Sequence, residues 1–160
     1  MTKKINKKFL FYLLILISAV IISAYIIEYN FGYKPCKLCI YERIPYIVAI
    51  LLIIKNFFSE AYEKETLLIL SIIFALSFIL AFYHFGIEQG FFEETLACTA
   101  GNFSETLTKD ELLEQLKLNT ISCKDVNFKI LGLSLASINA IFSFCLSAIF
   151  LKLFLNYGKN

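Results

Sequence analysis

The sequence predicts an all-α membrane protein: a four-transmembrane-helix bundle with two periplasmic loops, the second long and containing a short amphipathic helix. Three observations carry that expectation. The 160-residue chain is 59% hydrophobic with a mean hydropathy of +0.72, where soluble domains of this size are closer to half apolar. The apolar residues are gathered into long uncharged runs, which is the signature of membrane spans. Of five cysteines, four fall in or beside two connecting segments and none falls in a segment predicted to be cytoplasmic.

Residues 9–27 make nineteen positions without a charge. At a helical rise of about 1.5 Å per residue they cover roughly 28 Å, about one hydrocarbon core. Residues 67–85 make a second such run, with His84 near its end, and residues 130–151 a third. The fourth span is assembled from residues 40–58. Ile44 to Ile54 alone is too short, so Lys55 is expected to snorkel at one interface, with Glu42 and Arg43 at the other. Charge supports this count. Lys3, Lys4, Lys7 and Lys8 hold the N-terminus inside, and four spans return Lys152 and Lys159 to the same side. The first run exceeds a usual signal core and ends without a small-x-small site, so it is read as a retained anchor. With no repeats and no low-complexity linker, residues 1–160 read as a single integral membrane domain. A net charge of +2 without a basic patch gives no reason to expect nucleic acid.

The outer loops are residues 28–39 and 86–129. A connection as long as the second is usually functional or disordered. Within it, residues 108–118 read as an amphipathic helix, with Thr108 as N-cap, Glu111 completing a capping box, and Leu112, Leu113 and Leu116 on one face. That helix either packs on its own loop or lies on the membrane surface.

The five cysteines are Cys36, Cys39, Cys98, Cys123 and Cys145. Thiols persist as disulfides only outside the reducing cytosol, so the outer placement of four of them matters. Cys145, among Phe and Leu in the last span, is expected to be a small buried hydrophobe. Cys36-Lys37-Leu38-Cys39 follows Pro35 and opens the second helix, where free N–H groups and the positive dipole end stabilise a thiolate. Arg43 lies four residues after Cys39, on the same side of a continuous helix. By itself a C-x-x-C serves redox, metal or structural ends. Four cysteines can hold zinc, but Cys98 and Cys123 stand apart and the one His sits at a helix end, so no metal is expected. A structural disulfide between Cys98 and Cys123, worth about 3–4 kcal/mol, would leave the first pair unexplained.

Pro35-Cys36-Lys37-Leu38-Cys39-Ile40-Tyr41-Glu42-Arg43 resembles the pattern of the disulfide-bond formation protein B (DsbB) family. The likeness resumes at Tyr83-His84-Phe85-Gly86-Ile87-Glu88-Gln89-Gly90, at Cys98, at Cys123-Lys124-Asp125, and from Leu131 through Gly132-Leu133-Ser134 to Asn139. The resemblance implies a thiol:quinone oxidoreductase of the bacterial inner membrane, with both termini cytoplasmic and the redox loops periplasmic. It would draw electrons from a periplasmic thioredoxin-like dithiol oxidase (DsbA-like) and pass them to ubiquinone or menaquinone. Carried over by position, Cys98 would be attacked by the partner. Cys123 would leave and attack Cys36, and Cys39 would be freed beside the quinone. Arg43 would hold a quinone oxygen. His84 would either serve the quinone side or sit in an interfacial aromatic belt. Glu42 matches the motif without a derivable role. The family often places Trp between the last loop cysteine and the Gly-Leu-Ser stretch, whereas this chain has no Trp and carries Asn127 and Phe128 there. That departure bears on how the fourth helix is anchored, not on the chemistry.

The implied partner is a strong oxidant at about −120 mV, so recharging it needs a still stronger acceptor than ordinary structural disulfides near −300 mV. Two rival readings are an enzyme of the vitamin K epoxide reductase type and a small metal-handling membrane transporter. The first usually carries its C-x-x-C late in the chain. The second would need charges deep in the spans, and none lies there.

Overall fold

The computed structural model describes residues 6–59, 61–93, 98, 122–124, 129–130 and 132–158. The amphipathic helix expected at residues 108–118 lies outside them. Helix α1 is Lys7–Tyr29, opened by Asn6, whose side chain accepts from the Lys8 N–H at 3.0 Å. Next come a short helix α2 (Lys37–Tyr41), α3 (Ile44–Phe58) and α4 (Glu63–Glu88). A two-residue hairpin, β1 (Lys129–Ile130) and β2 (Leu133–Ser134), precedes α5 (Leu135–Asn156). Among the described residues three helices, α1, α4 and α5, are long and apolar enough to cross a membrane.

Two expected spans are corrected. Residues 40–58 are not one helix. Pro45 has no N–H for the Tyr41 carbonyl, and its ring crowds that turn. The chain therefore breaks at Glu42 and Arg43 and restarts at Ile44, with Pro in the first turn of α3. At 15 residues, α3 rises roughly 22 Å, short of a hydrocarbon core. The last span begins at Leu135, five residues later than expected. Gly132, at φ +84°, turns the hairpin, and Ser134 caps the helix by accepting from the Ser137 N–H at 3.2 Å. Apolar character marks residues 130–134 as span, whereas Ile130, Leu133 and Ser134 are strand and Gly132 is turn.

The bundle core is apolar and aromatic. Phe74 of α4 stacks on Phe150 of α5 with ring centroids 5.7 Å apart, and Tyr46 of α3 meets Phe74 edge-on. Leu13 and Ile17 close the same core from α1. Helices α4 and α5 are clasped by a reciprocal pair: Ser71 Oγ donates to the Ser147 carbonyl, and Ser147 Oγ donates to the Ser71 carbonyl. Small residues there let the backbones approach. Large apolar side chains also cover the outside, among them Leu76, Ile79 and Phe144. Cys145 belongs to that outer face and is exposed, not buried as expected. In a membrane protein, apolar neighbours mark lipid as readily as they mark core.

Candidate active site

The break at Glu42 sits beside the C-x-x-C and determines what surrounds it. Cys36, preceded by Pro35, is extended and caps α2, its Sγ accepting from the Cys39 N–H at 3.1 Å. The two cysteines form a disulfide with Cα atoms 5.1 Å apart. Because α2 ends at Tyr41, the Glu42 and Arg43 side chains are not held to one continuous helical face. Glu42 turns inward and is buried, while Arg43 reaches α1.

His84 comes from the last turns of α4. That helix stops where Gly90, at φ +77°, lets its N–H reach the Ile87 carbonyl. Phe92 folds back over the helix end, stacking on Tyr83. Gly86 makes room for it: a Cβ there would lie 2.2 Å from the Phe92 ring. His84 is 3% exposed, inside the protein. Its Nδ1 donates to Glu42 Oε1 at 2.7 Å, and its Nε2 stands 3.5 Å from Cys36 Sγ. A second carboxylate, Glu88, places Oε1 3.9 Å from the same Nε2.

Glu42 is the hub of a polar chain that runs into the bundle. Its Oε2 accepts from Asn139 Nδ2 at 2.8 Å. Tyr46 donates its phenol to Asn139 Oδ1. Ser143 lies 3.2 Å from the same phenol and 3.1 Å from Ser77 Oγ. Four helices thus meet in one buried network, α2 and α3 through the break between them, α4 and α5 through their polar side chains.

The second disulfide, Cys98–Cys123, has Cα atoms 5.2 Å apart. Both cysteines are 2% exposed, in one apolar cluster with Cys36, Leu38 and Ile87. Four sequence-predicted cysteines and His84 are therefore gathered at one end of the bundle. Arg43 is nearby but already engaged: its guanidinium lies 2.6 Å from Glu28 Oε2 and over the Tyr25 ring at 4.9 Å. A cavity of about 410 Å³ opens between α1 and α5, and Cys36, Cys39, Cys123, Arg43 and His84 all line it. Its remaining wall is largely apolar, with Val20, Ile21 and Ile27 from α1 and Ile138 and Phe142 from α5.

Residues 6–153 match the family described as "Disulfide bond formation protein DsbB". The chain belongs to the DsbB family. It is also 35% identical over 161 residues to "Uncharacterized protein RP370" of Rickettsia prowazekii (strain Madrid E), covering 99% of this chain and 93% of that protein. DsbB membership implies disulfide-forming oxidoreductase activity, and the three long apolar helices agree with a multi-pass membrane protein. Members of the DsbB family use quinones. Sequence reasoning passed over Glu28, Tyr46, Glu88 and Ser143. The available signal was polarity inside apolar runs, since Tyr46, Asn139 and Ser143 interrupt otherwise apolar helices.

Proposed function

We propose that this DsbB-family chain is a membrane thiol:quinone oxidoreductase, a single integral domain that reoxidises a periplasmic thioredoxin-like (DsbA-like) dithiol protein and passes the electrons to ubiquinone or menaquinone. One observation carries the reading: two disulfides share a buried cluster at the wall of an apolar cavity that also holds a guanidinium. In this reading α2 and α3 together make the fourth crossing, with the backbone at the break satisfied by bonds from the Glu42 N–H to Leu38 and the Arg43 N–H to Ile40. The Lys distribution keeps both termini cytoplasmic.

Each step is thiolate attack on a disulfide. A partner thiolate attacks Cys98 Sγ, the Cys98–Cys123 bond breaks, and Cys123 leaves as a thiolate. Cys123 then attacks Cys36 Sγ, breaking the Cys36–Cys39 bond and freeing Cys39 at the cavity wall. The partner's second thiol releases Cys98, which in turn attacks the Cys36–Cys123 bond. The loop disulfide is restored, the partner leaves oxidised, and the electron pair rests on Cys36 and Cys39 as a dithiol. Bound in the cavity, the quinone supplies the acceptor for two electrons and two protons. Arg43 keeps donors free beyond the one on Glu28 and can face a quinone oxygen. His84, oriented by Glu42, stands where it can take the proton of the Cys36 thiol. Because the Cys98–Cys123 bond is covered, partner docking must uncover it.

The test is purified protein in detergent with ubiquinone or menaquinone, mixed with a reduced thioredoxin-like partner while quinone absorbance is followed. Stoichiometric loss of quinone absorbance with partner oxidation is expected, and Cys39→Ser should abolish it. Partner oxidation at an unchanged rate without quinone consumption would overturn the reading.

A further inference from the structure

The donors around the C-x-x-C have a geometry with a second use besides disulfide exchange. Cys36 Sγ, Cys39 Sγ and a His84 ring nitrogen all lie within 4.8 Å of one another. In a tetrahedral zinc site, bonds of about 2.3 Å to sulfur and about 2.0–2.1 Å to nitrogen set the two donors roughly 3.5 Å apart. Cys36 Sγ and His84 Nε2 are 3.5 Å apart. Glu88 stands just outside that trio, with Oε1 3.9 Å from the same nitrogen, and a rotation of its side chain would bring it in as a fourth donor. Its side chain is 7% exposed, and its Oε2 is buried without a hydrogen-bond partner. A buried carboxylate oxygen left unpaired is costly, and a cation at this point would satisfy it.

The outer contacts complete the pattern. A metal-ligating His almost always donates its other ring N–H to a carboxylate, a backbone carbonyl or water, which fixes the tautomer and aims the lone pair. Here His84 Nδ1 donates to Glu42 Oε1, and Asn139 holds the other Glu42 oxygen. The ring is thus aimed at the two sulfurs by a partner that is itself pinned.

We propose that the reduced Cys36–Cys39 pair, with His84 and Glu88, binds one zinc ion, which holds the dithiol out of the redox cycle. No electrons move. The ion takes two thiolates, the Nε2 lone pair and a carboxylate oxygen, and the displaced protons pass to solvent. Oxidation to the disulfide removes both thiolates and expels the metal, so the site exists in one redox state alone. The proposed redox cycle enters only in that the pair must be reduced, and a chemical reductant supplies that independently.

Cobalt(II) is the probe. The full-length protein carrying Cys98→Ser and Cys123→Ser, reduced with a phosphine, is titrated with cobalt in detergent. One equivalent should give a thiolate-to-cobalt charge-transfer band and visible bands of tetrahedral intensity, both bleached by one equivalent of zinc. Glu42→Gln, which leaves every ligand in place, should weaken cobalt binding by about 10- to 100-fold. His84→Ala should weaken it further and alter the visible bands, and oxidised protein should show no band. Absence of the band in the reduced protein would overturn the proposal, as would affinity unchanged by His84→Ala and Glu42→Gln. Failure of quinone coupling would leave the cobalt result standing, so the two readings fail separately.

Discussion

Glu42→Gln tests whether the carboxylate is the hub of the site. Glu42 receives two charge-assisted hydrogen bonds, from His84 and from Asn139, in a buried setting. Hydrogen bonds to charged groups contribute about 1.5–3 kcal/mol each, so removing both, as in Glu42→Ala, should cost about 3–6 kcal/mol. The amide that replaces the carboxylate retains one acceptor, which His84 can keep. Its NH2 then faces Asn139 Nδ2, donor against donor. Asn139 can answer by turning its carbonyl toward that NH2, since the Tyr46 hydroxyl can accept from Asn139 and donate to Ser143 instead. The expected cost of Glu42→Gln is therefore about half, roughly 1.5–3 kcal/mol. Blocking that reversal with Tyr46→Phe should make the two changes cost more together than the sum of each alone. The assay is reversible unfolding in mixed detergent micelles, followed by far-ultraviolet circular dichroism, with the double-mutant cycle closed. Additivity within about 0.5 kcal/mol would refute the reversible chain. So would a Glu42→Gln cost equal to that of Glu42→Ala.

The cysteine order predicts that Cys123→Ser traps a mixed disulfide between Cys98 and a reduced thioredoxin-like partner, seen on a non-reducing gel, whereas Cys98→Ser forms none. Arg43→Ala should raise the apparent KM for quinone by about 10- to 100-fold, the loss of one charge-assisted bond, with partial recovery in Arg43→Lys, which lacks the fork of donors. An unchanged quinone titration would reduce Arg43 to the anchor that Glu28 and Tyr25 already make of it. Gly86→Ala should displace Phe92 and cost about 1–3 kcal/mol by overpacking, offset in part by up to about 1 kcal/mol of gained helix propensity. A stabilised variant would show that Phe92 does not pack there.

The spans that were legible are those where the uncharged run and the helix coincide. Residues 9–27 and 67–85 sit inside α1 and α4, because lipid and helix make the same demand on composition. Elsewhere a local feature decides against the apolar pattern. Pro45 splits the second span, and Gly132 with Ser134 delays the last. Cys145 was misplaced because hydropathy does not tell a lipid-facing position from a packed one. The cysteine pairs were legible from their spacing and the family likeness. The surroundings of His84 were less so: Glu88 lies one turn on along α4, but Glu42, with Asn139 behind it, arrives only through the tertiary contact of α4 with the break and with α5. Two of these three contacts span more than 40 residues of sequence, and no helical periodicity reports such a pairing.

The covered loop disulfide also bears on selectivity. Thiol–disulfide exchange needs an attacking sulfur to reach its target, and Cys98 and Cys123 present almost no surface to solvent. A small free thiol meets a closed door, although its reducing power is ample. In the proposed cycle a macromolecule whose binding opens the cluster delivers the electrons, so the gate is kinetic and leaves the driving force untouched. In the proposed thiol:quinone cycle, this would let the protein face a mixture of free thiols without short-circuiting them to the quinone pool.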